Sequence, residues 1–108
     1  MLKWILLTLA IGFEVFATLC LKASDGFTKT LPTVGLITGY AAAFYLESQV
    51  IRLGLPVAIT YAVWAGGGIA LVAVMGRVLF ADPISPAVLV GMALIAAGVG
   101  VVSVAATT

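Results

Sequence analysis

Trp4 to Leu21 reads WILLTLAIGFEVFATLCL, and Glu14 is the single charge inside it. Ten residues separate that carboxylate from the nearest upstream charge, Lys3. The run is about the length a helix needs to cross the hydrocarbon of a bilayer. A carboxylate in the middle of such a helix costs roughly 2.5–3.5 kcal/mol on insertion scales. Folding does not need that cost, because leucine would fill the place more cheaply. An acid held at that depth handles a proton or a cation.

The rest of the chain agrees with a membrane setting. Of 108 residues, 64% are hydrophobic and 8% charged, and the mean hydropathy is +1.31. A water-soluble domain carries about 25% charged residues, so this chain has too little polar surface to face water. The sequence predicts an all-α membrane protein with four transmembrane helices, near 3–21, 32–51, 57–79 and 85–105, forming a single four-helix domain over 1–108. Between them lie short polar turns. Lys22–Thr30 holds Ser24, Asp25 and Gly26, Arg52–Pro56 holds Gly54, and Ala81–Pro86 holds Asp82, Pro83 and Ser85. Gly, Pro, Ser and Asp at such places punctuate helices. The first segment lacks a strongly basic start and a small-x-small cleavage site, so it reads as a retained span.

Lys and Arg flank the spans almost evenly. Lys3 and Arg52 lie at the end that carries the N-terminus, and Lys22, Lys29 and Arg77 at the other. The excess of positive charge that normally fixes orientation is therefore weak, which fits either a small protein with few charges or insertion in both directions. The net charge of +1 points to no nucleic-acid partner. The lone Cys20 has no partner for an internal disulfide and reads as a small packed hydrophobe. No residues have metal-ligand or cofactor-motif spacing. With no histidine, a proton carrier is expected to be a carboxylate, with Lys or Tyr as distant candidates.

Around Glu14 the helical period gathers small and hydroxyl residues. Ala10, Glu14 and Thr18 are four apart on one face, with Ala17 beside them. The plain alternative is a structural acid that binds a hydroxyl or pairs with a base, yet every Lys and Arg lies near a span end. Tyr40 and Phe44 stand one turn apart on the second helix, and Tyr61 and Trp64 three apart on the third. Aromatics at span ends commonly form interfacial belts, a reading that suits Trp4. Tyr40 and Trp64 fall well inside, where rings beside a carboxylate suit a lipophilic cation.

Gly66-Gly67-Gly68 follows Trp64 and reads as a hinge or as a place of close helix approach. On the fourth span, Gly91, Ala93, Ala97 and Gly98 form a small-residue stripe without acid, base or aromatic nearby. Gly91, Ala97 and Gly98 are the predicted dimer contact. Glu47 can share a face with Tyr40 and Phe44 as a second acid of the site. Its simpler reading is a residue near the span end that either snorkels or pairs with Arg52. Arg77 and Asp82 read as an interfacial pair or as headgroup contacts, without a transport role. Four short helices enclose little space, so a pathway gated on both sides calls for a second copy. Two Glu14 side chains in one chamber would titrate as a coupled pair.

Several short motifs occur in order. They are Glu14-Val15 with Thr18 and Lys22, Ser24-Asp25-Gly26-Phe27-Thr28, and Pro32-Thr33-Val34-Gly35. Tyr40, Pro56 and Ile59-Thr60-Tyr61-Ala62-Val63-Trp64 come next, and Pro83-Ile84-Ser85, Gly91-Met92 and Gly98 complete the series. Taken together they resemble the small multidrug resistance family, within the drug/metabolite transporter superfamily, over essentially the whole chain. The resemblance implies an antiparallel dimer, of identical chains or of a pair of homologues. It also implies proton-coupled antiport of small organic cations by alternating access across the bacterial inner membrane, in either insertion direction.

Residue by residue, Glu14 matches the shared proton and substrate carboxylate. Tyr40, Tyr61 and Trp64 match the aromatic site residues, and Ala10, Ala17 and Thr18 the lining beside the acid. Tyr40 with Thr18 is similar to the branch that exports quaternary ammonium and aromatic cations. The guanidinium branch carries a tryptophan shortly after the site glutamate, where this chain has Phe16 and Ala17. Glu47 departs from an apolar position of the family, and some paired members with extra acids move polyamines. A non-transporting subunit that stabilises a membrane partner is the alternative from another class. An enzyme is not expected, because no nucleophile–base or metal constellation is present.

Overall fold

The structure is a computed structural model that describes Met1 to Thr107. It contains four α-helices: α1 (Leu2–Ala23), α2 (Thr30–Arg52), α3 (Val57–Phe80) and α4 (Pro86–Thr107). Each overlaps an expected span. At 1.5 Å per residue, helices of 22 to 24 residues are about 33–36 Å long, enough for a hydrocarbon layer of about 30 Å. By length and apolarity α1, α3 and α4 each qualify to cross a membrane. α2 is equally long but more polar, since it carries Thr33, Thr38, Tyr40, Tyr45, Glu47, Ser48 and Gln49.

The turns end the helices by local chemistry. After α1, Asp25, Gly26 and Phe27 all take positive φ, at 49°, 71° and 68°. The fully buried Ser24 organises this turn: its hydroxyl donates to the Leu21 carbonyl at 2.7 Å and accepts from the Phe27 N–H at 3.2 Å. Gly54, at φ 108°, reverses the chain after α2, where a side chain would be strained. Ala81 caps α3 in the left-handed region, and the Asp82 N–H reaches back to the Gly76 carbonyl at 3.3 Å. Ser85 Oγ accepts from the Val88 N–H at 3.2 Å and so caps the start of α4.

The packing order explains where space is left. α1 packs extensively on α2 and also on α3, α3 carries α4, and α2 and α3 scarcely touch. Both neighbours therefore lean on α1, and a gap opens between them. The α1–α2 seam is tight because small residues line it. Ala10, Ala17 and Ala43 are fully buried, and a Cβ on Gly39 would stand 2.9 Å from the Ala17 Cβ. Near the end that carries the N-terminus, Leu7, Val50, Leu55 and Val63 form a buried cluster against which Trp4, Ile59 and Trp64 pack. Trp4 therefore packs on this cluster.

α4 is the most exposed helix: none of its described residues is buried. It is apolar on every side, and a helix of that kind needs lipid or other helices around it. Gly91 and Gly98 face open space, and Ala97 is exposed.

Candidate functional site

Glu14 lies at the junction of α1, α2 and α3. Thr18, one turn further along α1, donates to Glu14 Oε1 at 3.1 Å. Thr18 Oγ1 also shares a hydrogen bond of 2.7 Å with the Tyr40 hydroxyl of α2. The second carboxylate oxygen, Oε2, is buried and has no hydrogen-bond partner. It rests against Gly68 of α3, where a Cβ would collide with it.

Beside the acid is a hollow of about 300 Å³ lined by Glu14 and Thr18 from α1 and by Tyr61, Trp64, Ala65, Gly68, Ile69 and Val72 from α3. That volume is at the small end of ligand cavities. The α3 residues recur at helical spacing, so one stripe of the helix faces the acid. No lysine or arginine lines the hollow. The Trp64 indole N–H is buried and unpartnered as well.

The rings form a connected series. Tyr40 stacks on Phe44 at 6.3 Å between centroids, Phe44 meets Trp64 at 5.6 Å, and Trp64 meets Tyr61 at 5.8 Å. The series bridges α2 and α3 where their backbones stay apart. Phe44 and Tyr61 remain 54% and 59% exposed, so the ring wall is open on one side. Ring faces carry negative charge density and attract cations.

The structure thus brings Glu14, Thr18, Tyr40, Phe44, Tyr61 and Trp64 together. Ala10 and Ala17 are placed differently: both are fully buried, and Ala17 packs on Gly39 instead of bordering the hollow. Gly66, Gly67 and Gly68 lie in an unbroken helix. Each admits a different neighbour: Gly66 faces Val99 of α4, Gly67 faces Ile11, and Gly68 faces Glu14. Glu47 is half-buried and makes no ion pair with Arg52, so the pairing expected as one alternative for it is not formed.

Asp82 also differs from expectation. Its carboxylate pairs with Lys22 at 2.8 Å, while Arg77 reaches only its backbone carbonyl at 3.5 Å. Lys22 lies 5.4 Å from the centre of the Phe80 ring. Sequence spacing could not see this pair, because its members are 60 residues apart. The role of Gly68 beside the acid was missed too. So were Ala65, Ile69 and Val72, although counting turns from Tyr61 would have found them. Among the described residues, no group of His, Cys, Asp or Glu is placed to hold a metal ion.

The family model described as Small Multidrug Resistance protein matches residues 2–95. The chain is 43% identical over 103 residues to the quaternary ammonium compound-resistance protein QacF of Klebsiella aerogenes, covering 95% of this chain and 93% of that one. It is 42% identical over 94 residues to a putative ethidium bromide resistance protein of Escherichia coli, covering 87% and 81%. It is 43% identical over 95 residues to the multidrug resistance protein EbrB of Bacillus licheniformis, covering 88% and 79%.

Proposed function

This chain belongs to the Small Multidrug Resistance protein family, and from that membership we propose that it exports organic cations in exchange for protons, with Glu14 as the site both share. It is a multi-pass protein of the bacterial inner membrane, and a transporter rather than an enzyme. The names of its relatives point to quaternary ammonium compounds and to ethidium, a flat aromatic cation, as the substrate class.

The single observation that carries this reading is the state of the Glu14 carboxylate. One oxygen accepts from Thr18, the other is buried without a partner, and no basic side chain borders the hollow. A bare carboxylate in so apolar a place is expensive. It is neutralised either by a proton or by a cation, and the two compete. The rings of Tyr61, Trp64 and Phe44 favour a cation that is itself greasy or flat. Competition at one site is enough for exchange, provided the empty and charged state seldom changes sides.

One chain leaves the hollow open on one side and α4 uncovered. The transporter therefore works as a pair, antiparallel as the family resemblance implies, with α4 and its Gly91, Ala97 and Gly98 stripe as the contact. The sparse and nearly even Lys and Arg distribution favours insertion in both directions.

The experiment is proton release from detergent-purified protein on adding tetraphenylphosphonium. Release is expected from the wild-type protein and not from Glu14→Gln. The sign of the pH dependence follows from competition. Well above the Glu14 titration the carboxylate is charged and cation affinity is flat. Below it, affinity falls about tenfold per pH unit for each proton that must leave first. Proton release that survives in Glu14→Gln removes the assigned site.

A further inference from the structure

We propose that Tyr40 and Thr18 form a one-way hydrogen-bond relay that holds the charged form of Glu14 by Oε1, leaving Oε2 as the oxygen that takes the proton or the cation. This deepens the reading of Glu14 as the exchange site and rests on it. Tyr40 and Thr18 are then positioning residues for the acid, beyond any contact they make with a passenger.

The direction of the relay follows from counting protons. A threonine hydroxyl has one hydrogen and two lone pairs. Thr18 gives its hydrogen to Glu14 Oε1, so in its 2.7 Å bond with Tyr40 it can only accept. The phenol must donate. The order is Tyr40 hydroxyl to Thr18 Oγ1 to Glu14 Oε1, and each donation strengthens the next.

Four other threonines of the helices make the contrast plain. Thr8, Thr33, Thr38 and Thr60 each donate to the carbonyl four residues back, the usual fate of a threonine inside a helix. Thr18 forgoes that bond for a side chain. Tyr40 is held in place by its stack on Phe44.

The far oxygen is left differently. Oε2 has no partner, and Gly68 presents only backbone to it. Other groups able to set its charge are few. From α2 the titratable residue that reaches the Thr18–Glu14 pair is Tyr40, and from α3 Tyr61 borders the hollow. On α1 itself Lys22 is engaged with Asp82. α4 carries no titratable side chain.

The test measures proton release on adding tetraphenylphosphonium across a pH series, in wild type, Thr18→Val, Tyr40→Phe and the double variant. Valine keeps the shape of threonine without the hydroxyl, and phenylalanine keeps the ring. Removing a donor from a charged acceptor favours the protonated acid. The midpoint should therefore rise by about one pH unit in Thr18→Val and by about half a unit in Tyr40→Phe. Because the tyrosine acts only through the threonine, the double variant should match Thr18→Val alone. Thr18→Ser, which keeps the hydroxyl, should behave as wild type and shows that the position folds. Affinity at high pH, where the acid is charged throughout, should change by less than about threefold in Tyr40→Phe.

Unmoved midpoints overturn the relay. So does a double variant that shifts by the sum of the two, and so does a loss of high-pH affinity with a fixed midpoint, which marks direct passenger contact. The Glu14→Gln control keeps the two levels apart. Proton release that persists there rejects the exchange site itself, whereas its loss together with unmoved midpoints rejects only the relay.

Discussion

Replacing Gly68 with alanine should weaken cation binding while leaving the protein folded. In a helix interior alanine is favoured over glycine by roughly 1 kcal/mol, so backbone preference alone predicts stabilisation. The site predicts the opposite for function. The new Cβ would collide with Glu14 Oε2 and stand 3.2 Å from the carboxyl carbon. The carboxylate would have to rotate away, and rotation breaks the 3.1 Å bond from Thr18 to Oε1. A hydrogen bond to a charged group contributes about 1.5–3 kcal/mol. Since each 1.4 kcal/mol is about tenfold, tetraphenylphosphonium should bind roughly tenfold more weakly at neutral pH. The assay is a fluorescence titration of Trp64 in detergent, paired with a thermal melt of the same sample. A folded Gly68→Ala protein that binds within about twofold of wild type would show that Oε2 does not rest where the structure puts it.

The two neighbouring glycines serve as comparisons. In Gly67→Ala the new Cβ meets the Ile11 Cδ1 tip at 3.1 Å; that tip can give way, so titration should find affinity within about threefold of wild type. Trp64→Ala should weaken binding of an aromatic cation by more than Trp4→Ala does, because Trp64 borders the hollow and Trp4 packs on the buried cluster; equal losses would move Trp64 out of the site. Glu47→Leu should leave flux of singly charged substrates in liposomes largely unchanged, since the proposed exchange uses Glu14 alone, and loss of proton-coupled uptake would bring Glu47 into the mechanism. Asp82→Asn removes an ion pair whose members are 53% and 43% exposed; exposed pairs contribute about 0–1 kcal/mol, so a melt should move little and flux should persist.

Much of the fold could be read from one-dimensional signals. The apolar runs and the Gly, Pro and Ser turns between them place the helices, because a membrane span depends on length and apolarity within one segment. Glu14 was legible for the same reason: a charge amid apolar residues stands out without any knowledge of its neighbours. Tyr40, Tyr61 and Trp64 were legible as candidates through depth and spacing. What stayed hidden was pairing between segments. Helical period alone put Ala10 and Ala17 beside the acid, but it cannot say which neighbour a face meets; here both are fully buried, and Ala17 meets Gly39 in the tight α1–α2 seam. The glycine triplet was ambiguous between bending and packing because glycine serves both, and only the position of Glu14 shows why Gly68 in particular lacks a side chain. Lys22 and Asp82 meet across a separation that no periodicity encodes.

The same packing order accounts for both stability and openness. Close approach of α1 and α2 needs small residues, and the chain supplies them in Ala17, Gly39 and Ala43. Close approach of α1 and α3 is also set by glycines, but there one of the facing groups is a carboxylate. α2 and α3 have no comparable backbone contact, and rings bridge the gap instead. Ring contacts at 5.6–6.3 Å can slide and tilt with little loss, whereas a glycine–alanine seam cannot open without exposing buried surface. Movement that admits a cation should therefore occur at the ring-bridged gap between α2 and α3, with the α1–α2 seam preserved. A disulfide-forming cysteine pair across the α1–α2 seam should leave flux intact, while one across the α2–α3 gap should stop it. Arrest by the seam pair, with the gap pair active, would place the moving boundary on the other side of α1.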